Sequence, residues 1–243
     1  MNASQRERAV AVPDDLELMR LHVDALFTHD ARARLLRVNE FGGRNVAPRV
    51  YLGRTPKGHV LRVRADVADD VAAELRAIAA TEPIVADMPQ RPQCGALLRA
   101  TLARLEPVRQ VWVGPAYCVD VDALPSDTAT VQLEAEGPLL ARFPEWRGEV
   151  RYRQPFVVAL DGEAGAAICC SVRITHAAHE AGVETVLTAR RRGFATRAVV
   201  GWARAVAELG ALPLYSTSWD NLASQAVARG LRMHRYGVDF HVT

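Results

Sequence analysis

Lysine is almost absent. Lys57 stands alone, the other basic residues are arginines, and 30 basic against 28 acidic side chains leave a formal net charge of +2. So small a charge, on arginines spread along the chain rather than gathered with aromatics, argues against a nucleic-acid or anionic-membrane partner. Cysteine is scarce too: Cys94, Cys118, Cys169 and Cys170, with no C-x-x-C and no disulfide-like spacing. Reduced thiols in a cytoplasmic protein are therefore expected. No apolar run approaches membrane-spanning length, and residues 1–15 lack the apolar centre of a secretion signal. The histidines (His22, His29, His59, His176, His179, His234, His241) show no metal spacing, since His176 and His179 fall in an expected turn. Neither G-x-G-x-x-G nor G-x-x-x-x-G-K-[ST] occurs.

What is present is material for a core. With 243 residues, 49% hydrophobic and 24% charged, the chain allows one large domain or two small ones. Residues 1–12 read as a frayed tail. Asp14 and Asp15 precede Leu16, Leu18, Met19, Leu21, Val23 and Leu26, a helix start. Ala25–Asp30 and Ala33–Asn39 read as a hairpin, and so do Val50–Leu52 and His59–Arg64 around Thr55-Pro56-Lys57-Gly58. Val67, Val71, Leu75 and Ile78 predict a helix over 66–80, and Ala96–Leu105 predicts another. Val111–Val121 reads as a strand broken at Gly114-Pro115. Leu124-Pro125-Ser126 is the candidate boundary, giving an N-terminal α+β region over 1–125 and a second unit over 126–243, packed tightly.

In that second unit, Ala129–Leu133 reads as strand and Leu139–Trp146 as an amphipathic helix. Pro155–Leu160 and Ala166–Ile174 read as a hairpin around Asp161-Gly162-Glu163. A further strand ends near Thr185. Ala195, Ala198, Val199, Trp202, Ala203, Val206 and Leu209 make one continuous apolar stripe, stopped by Gly210. Leu212–Trp219 follows as strand, then a helix capped by Asp220 or Asn221 and stopped at Gly230, then a last strand over Val238–Val242.

The chemistry gathers at Val183–Ala198. A strand end, Arg190-Arg191-Arg192, Gly193 and then a helix start put unpartnered N–H groups and the positive end of a helix dipole in one place. Gly193 removes the side chain where a ligand would come close, and Ala195 keeps the next approach small. Such a junction suits a phosphate or pyrophosphate. A solvated arginine patch beside a simple turn is the plainer reading of the same residues. Asn221 reads equally as an N-cap. Cys169 and Cys170 read as small buried hydrophobes, and Trp219 as a core or wall residue.

The ordered set Arg190-x-x-Gly193-x-Ala195, Trp219-Asp220-Asn221 and Ser224 resembles the GNAT superfamily of acyl-CoA-dependent N-acyltransferases. The resemblance covers about the last hundred residues. It implies a mixed, mostly antiparallel α/β (α+β) sheet flanked by helices, with the first half a degenerate second copy of the fold or an unrelated cap. It implies acetyl-CoA as co-substrate and an amine acceptor, in a monomer or homodimer. The pyrophosphate would lie on Arg190, Arg191, Arg192, Gly193, Phe194, Ala195 and Thr196. The pantetheine arm would lie along Val183, Thr185 and Val186, in a gap between Gly182–Val186 and Leu214–Thr217, with the Val186 N–H as oxyanion donor. Asn221 and Ser224 would touch the coenzyme or brace the strands. Glu184 or Glu180, which alternation puts on one face, would be the base. The family's tyrosine, seven positions after the asparagine, is replaced by Ala228, which leaves Tyr236 as substitute acid. Leu231-Arg232-Met233 also departs from the family's Leu-Gly-Phe. A non-catalytic acyl-CoA-binding module is the alternative.

Overall fold

The computed structural model describes residues 13–126 and 129–243. The tail expected at 1–12 lies outside them. Helix α1 (Asp15–Leu26) begins where the acidic pair predicts, because the Asp14 carboxylate accepts the Glu17 N–H at 2.9 Å. Two hairpins follow, β1 (Phe27–His29) with β2 (Leu35–Val38) and β3 (Val50–Thr55) with β4 (Gly58–Val63). Next come α2 (Asp69–Ala79), α3 (Gly95–Ala103) and β5 (Val111–Cys118). The rest runs β6 (Thr130–Gln132), β7 (Phe156–Asp161), β8 (Ala164–Ile174), β9 (Ala178–Thr185), α4 (Phe194–Glu208), β10 (Leu212–Ser216), α5 (Leu222–Gly230) and β11 (His234–Val242).

Nine strands make one sheet in the order β4-β3-β11-β5-β10-β9-β8-β7-β6. Every neighbouring pair is antiparallel except β9 and β10, which α4 connects in parallel. This is a mixed, mostly antiparallel sheet flanked by helices, the fold class expected. The boundary at 125 does not separate two sheets, however. Strand β5 of the first half lies between β10 and β11 of the second, and β3 pairs with β11.

Alternation sorts the side chains onto two faces. On one, α4 buries Ala198, Val199, Trp202, Ala203 and Val206 against Val157, Ala167, Cys169 and Tyr215. Leu209, expected to continue that stripe, is the C-cap and 63% exposed. Helices α2 and α3 cover the same face at the β3–β11 end, over Val50, Leu52, Phe240 and Val242. On the opposite face α1 packs Leu18, Met19 and Val23 on Tyr51, Ala116, Cys118, Leu214 and Tyr236. Residues 138–152 cover that face over β7 and β8, packing Leu140, Phe143 and Val150 on Phe156, Val158, Ile168 and Cys170. Cys169 and Cys170 thus face opposite layers. Both are buried, and burial pushes both thiols up, so they act as small hydrophobes.

Three local expectations change. The helix expected over 139–146 is a series of single 3-10 turns at Pro138–Leu140, Pro144–Trp146 and Val150–Tyr152. Prolines start two of them, and Pro144 removes the N–H that a continuous helix would need there. Strand β5 runs through Gly114-Pro115 unbroken: Pro115 faces Val238, and its carbonyl accepts the Thr217 N–H at 3.3 Å. Gly114 marks a close approach instead, since a Cβ there would sit 1.8 Å from the Thr217 carbonyl oxygen. The last strand starts earlier than expected, at His234.

Candidate active site

The parallel β9–β10 ladder is short. Leu212, Pro213 and Leu214 pair with Ala178, His179 and Glu180, and there it stops. Strand β9 continues to Thr185, paired on its other side with β8, while β10 continues beside β5. The two strands part after Glu180 and Leu214. The Val186 N–H donates to the Ala166 carbonyl at 3.0 Å, which sets the phase of the β8–β9 ladder. By alternation, the backbone groups of Val183 and Thr185 point the other way, into the gap. Val186 is therefore not free as an oxyanion donor, because its amide is already used. The first outward N–H past the last rung is that of Val183.

Because β9 and β10 are parallel, their C-terminal ends lie at the same edge of the sheet, and the starts of α4 and α5 lie there too. At the first, Gly193 is the N-cap of α4 with φ +81 and no side-chain cap. Its left-handed backbone is why glycine is needed. A Cβ there would meet nothing within 4 Å, so the space before the helix is open. The first-turn amides of Phe194, Ala195 and Thr196 have no acceptor within the helix. Arg190 and Arg191 are exposed. Arg192 is held elsewhere: its two terminal nitrogens bind Asp161 at 2.6 and 3.0 Å, and its guanidinium lies 4.9 Å from the Phe194 ring.

At the second helix start, Asn221 caps α5 by accepting the Ser224 N–H at 3.0 Å. Ser224 Oγ lies 2.5 Å from the Tyr215 hydroxyl. Tyr215 is the first residue of β10 beyond the last rung, and burial pushes its phenol up to about 12. No local pattern pointed to it, because a tyrosine in an apolar strand reads as core.

Glu180 and Glu184 face the α1 side of β9. Glu184 lies on the open half and accepts the Trp146 indole N–H at 2.5 Å. Glu180 sits on the last rung and is 2% exposed. Its Oε1 lies 2.7 Å from His22 Nδ1, close but outside hydrogen-bond alignment. His22 Nε2 lies 3.5 Å from Asp239 Oδ2, and Trp112 Nε1 donates to Asp239 Oδ1 at 3.4 Å. Burial alone would push the imidazole down. The Glu180 charge and the Asp239 hydrogen bond more than reverse this and raise it to about 9. Tyr236, expected as an acid, is fully buried in the core beneath α1, its hydroxyl without a partner among the described residues. Burial, then the Glu180 charge, push its phenol far up. The sequence set thus divides: Val183 and Thr185 lie on β9 past the last rung, Gly193 to Thr196 at the start of α4 and Asn221 and Ser224 at the start of α5, whereas Glu180 and Tyr236 are buried on the α1 side.

No family model and no curated protein sequence matches the chain. Solved structures do. One is a GCN5-related N-acetyltransferase from Kribbella flavida, at 14% identity and TM-score 0.47, covering 93% of each chain. A second is a GCN5-related N-acetyltransferase-like protein from Streptococcus suis, at 16% identity and TM-score 0.44, covering 81% of this chain and 85% of that one. A third is a putative GNAT-family acetyltransferase from Novosphingobium aromaticivorans, at 19% identity and TM-score 0.43. There the match covers 56% of this chain and 65% of the other.

Two cavities are lined by residues other than those of the gap. One, of about 340 Å³, is lined by Glu134, Glu136, Gly148 and Arg151; the other, of about 210 Å³, by Arg91, Gly95, Arg99 and Phe240. No group of three or more His, Cys, Asp or Glu suited to a metal ion occurs among the described residues.

Proposed function

We propose that this chain is an N-acyltransferase that moves an acetyl group from acetyl-CoA to an amine by direct attack. The observation that carries the reading is the parting of β9 from β10 after Glu180 and Leu214, beside the uncapped start of α4. An open parallel pair offers backbone groups to an extended amide-bearing arm in the way a missing strand would. A helix start with φ +81 at Gly193 and free space before it offers amides to a pyrophosphate. Arg190 and Arg191 would add charge. Arg192 would first have to leave Asp161.

When bound, acetyl-CoA supplies an activated acyl carbon. The chain's residues do the rest. Val183 presents its N–H where an acyl oxygen gains negative charge. Glu180 or Glu184 takes the proton that an amine must lose. Tyr215, held against Ser224 at the first position past the last rung, would donate a proton to the departing thiolate from the other face of the sheet. We place Tyr215 in that role ahead of Tyr236, which lies on the same sheet face as Glu180 with no exposed surface.

Titration calorimetry with acetyl-CoA, on wild type and Gly193→Asp, tests the binding half. Micromolar affinity lost in the folded variant supports the site; no wild-type affinity at millimolar acetyl-CoA ends the reading. Thiol release over a panel of alkyl, aryl, sugar, amino-acid and peptide amines tests the enzyme half. Binding without turnover would instead favour an acyl-CoA-binding module. Ala228, a small buried side chain in the position of the family's tyrosine, is the observation behind that second reading.

A further inference from the structure

The buried group of His22, Glu180 and Asp239 is hard to explain as packing. Three ionisable side chains from α1, β9 and β11 are each 2% exposed or less. Removing such charges from water is costly, and well-packed apolar residues would do as well for stability. The geometry is also incomplete. Glu180 Oε1, His22 Nδ1 and the Tyr236 hydroxyl lack aligned hydrogen bonds among the described residues, although buried side-chain polar atoms are nearly always satisfied. The cluster is not placed at random. Glu180 occupies the last β9–β10 rung, directly before the strands part.

We propose that His22, backed by Asp239, is a positioning residue that fixes the Glu180 carboxylate at the apex of the gap, where Glu180 takes the proton of the acceptor amine. The inference rests on the acyltransferase reading. In the step, an N–H bond of the acceptor breaks and an O–H bond forms on Glu180, with nothing oxidised or reduced. Glu180 suits the task better than Glu184, because Glu184 already accepts the Trp146 indole N–H at 2.5 Å. His22 is built to hold it. Its ring lies between two carboxylates, 2.7 Å from Glu180 Oε1 and 3.5 Å from Asp239 Oδ2, and within 6.4 Å of the Tyr51 ring and 6.0 Å of the Tyr236 ring. It stays cationic through neutral pH, with its titration raised to about 9. Asp239 is held in turn by the Trp112 indole. The N-terminal half thus supplies the residue that aims a carboxylate of the C-terminal half.

The test uses the full chain, acetyl-CoA, and the best amine from the panel above. For Glu180→Gln, kcat should fall about 100-fold, the usual size of a lost proton acceptor. For His22→Gln, kcat should fall at least about 30-fold while acetyl-CoA affinity and the acceptor KM stay within about threefold, because the carboxylate is misaimed but the binding surfaces remain. Asp239→Asn should act in the same direction, more weakly. A merely structural role for His22 would instead loosen binding and raise KM alongside any loss of kcat. Wild-type kcat in folded His22→Gln overturns the proposal and leaves the acyltransferase reading standing. Where His22→Gln fails to fold by circular dichroism, Asp239→Asn decides, and unchanged kcat there overturns it. Bound acetyl-CoA with no turnover on any amine also overturns it. No acetyl-CoA binding at all removes the acyltransferase reading itself.

Discussion

The His22 cluster makes stability depend on pH in a direction that can be worked out. In the unfolded chain His22 titrates near 6.5, and in the fold near 9. A raised histidine stabilises the fold fully below its unfolded value, and that contribution is lost as pH rises through the folded value. The displacement corresponds to about 3 kcal/mol at pH 6, falling to about half a kcal/mol by pH 9. The ring is fully buried, so solvent screening takes little from this. Other groups add to the same trend. Burial pushes Cys94 and Cys118 up to about 12, so they resist ionisation in the fold but ionise near 9 once unfolded. A wild-type curve alone would mix these effects.

The assay is urea unfolding at fixed ionic strength, from pH 6 to pH 9.5, on wild type and His22→Gln. The variant retains the cysteine contributions and lacks the histidine one. The stability difference between the two proteins should therefore shrink by about 2–3 kcal/mol as pH rises from 6 to 9. A pH-independent difference would mean that the two carboxylates do not hold His22 cationic. A difference growing with pH would mean that His22 is buried neutral, with burial outweighing its partners. Either result refutes the reasoning about the cluster.

Gly193→Val should lower stability by about 1–2 kcal/mol through its left-handed backbone alone, since nothing lies within 4 Å of the added Cβ; Gly193→Asn should cost less, and thermal melts of both check it. Glu82→Ala should cost about 3–5 kcal/mol by urea unfolding, because Arg54 Nη1 pairs with Glu82 at 3.2 Å and would be left buried and uncompensated. Trp202→Phe should cost about 2 kcal/mol or more in the same assay. It removes the indole N–H that donates to Ser171 Oγ at 3.0 Å, inside a buried chain that continues to His179 Nδ1 at 2.9 Å. Tyr215→Phe should leave acetyl-CoA affinity within about threefold and lower the rate of thiol release by about tenfold or more; an unchanged rate would remove Tyr215 from the reaction.

Much of the local structure was legible because its causes are local. The α4 stripe follows from helical spacing, and Gly210 with φ +79 ends it as a glycine just past a helix should. Asn221 suits both a cap and a site residue by sequence, and the structure displays the cap. The β3–β4 hairpin follows from its turn, where Thr55 Oγ1 accepts the Lys57 N–H at 3.1 Å. Elsewhere the sequence carries the residue but not its partner. Gly114-Pro115 reads as a break until Thr217 is known to press on Gly114. Val186 reads as free until the β8–β9 register gives its amide to Ala166. Leu139–Trp146 has apolar residues at helical spacing, yet its prolines permit only single turns. His22 sits in the apolar pattern of α1, and nothing within that helix announces two carboxylates that lie far along the chain.

The boundary at 125 misses for a reason of its own, the place of β5. A boundary at 125 is reasonable from the local break at Leu124-Pro125-Ser126. Composition cannot register that the strand just before that point is inserted between two strands that come long after it. The insertion has a mechanical consequence. Strand β10 is held on one side by β5 along Leu214, Tyr215 and Ser216, while on the other it meets β9 only as far as Leu214. β5 therefore keeps β10 straight past the point where β9 leaves it, and the gap is a product of unequal pairing on the two sides of one strand. The α1 helix packs on the sheet face beside the last β9–β10 rung and brings His22 to Glu180. On the reading proposed above, the first half of the chain would build one wall of the candidate site and aim its most buried carboxylate.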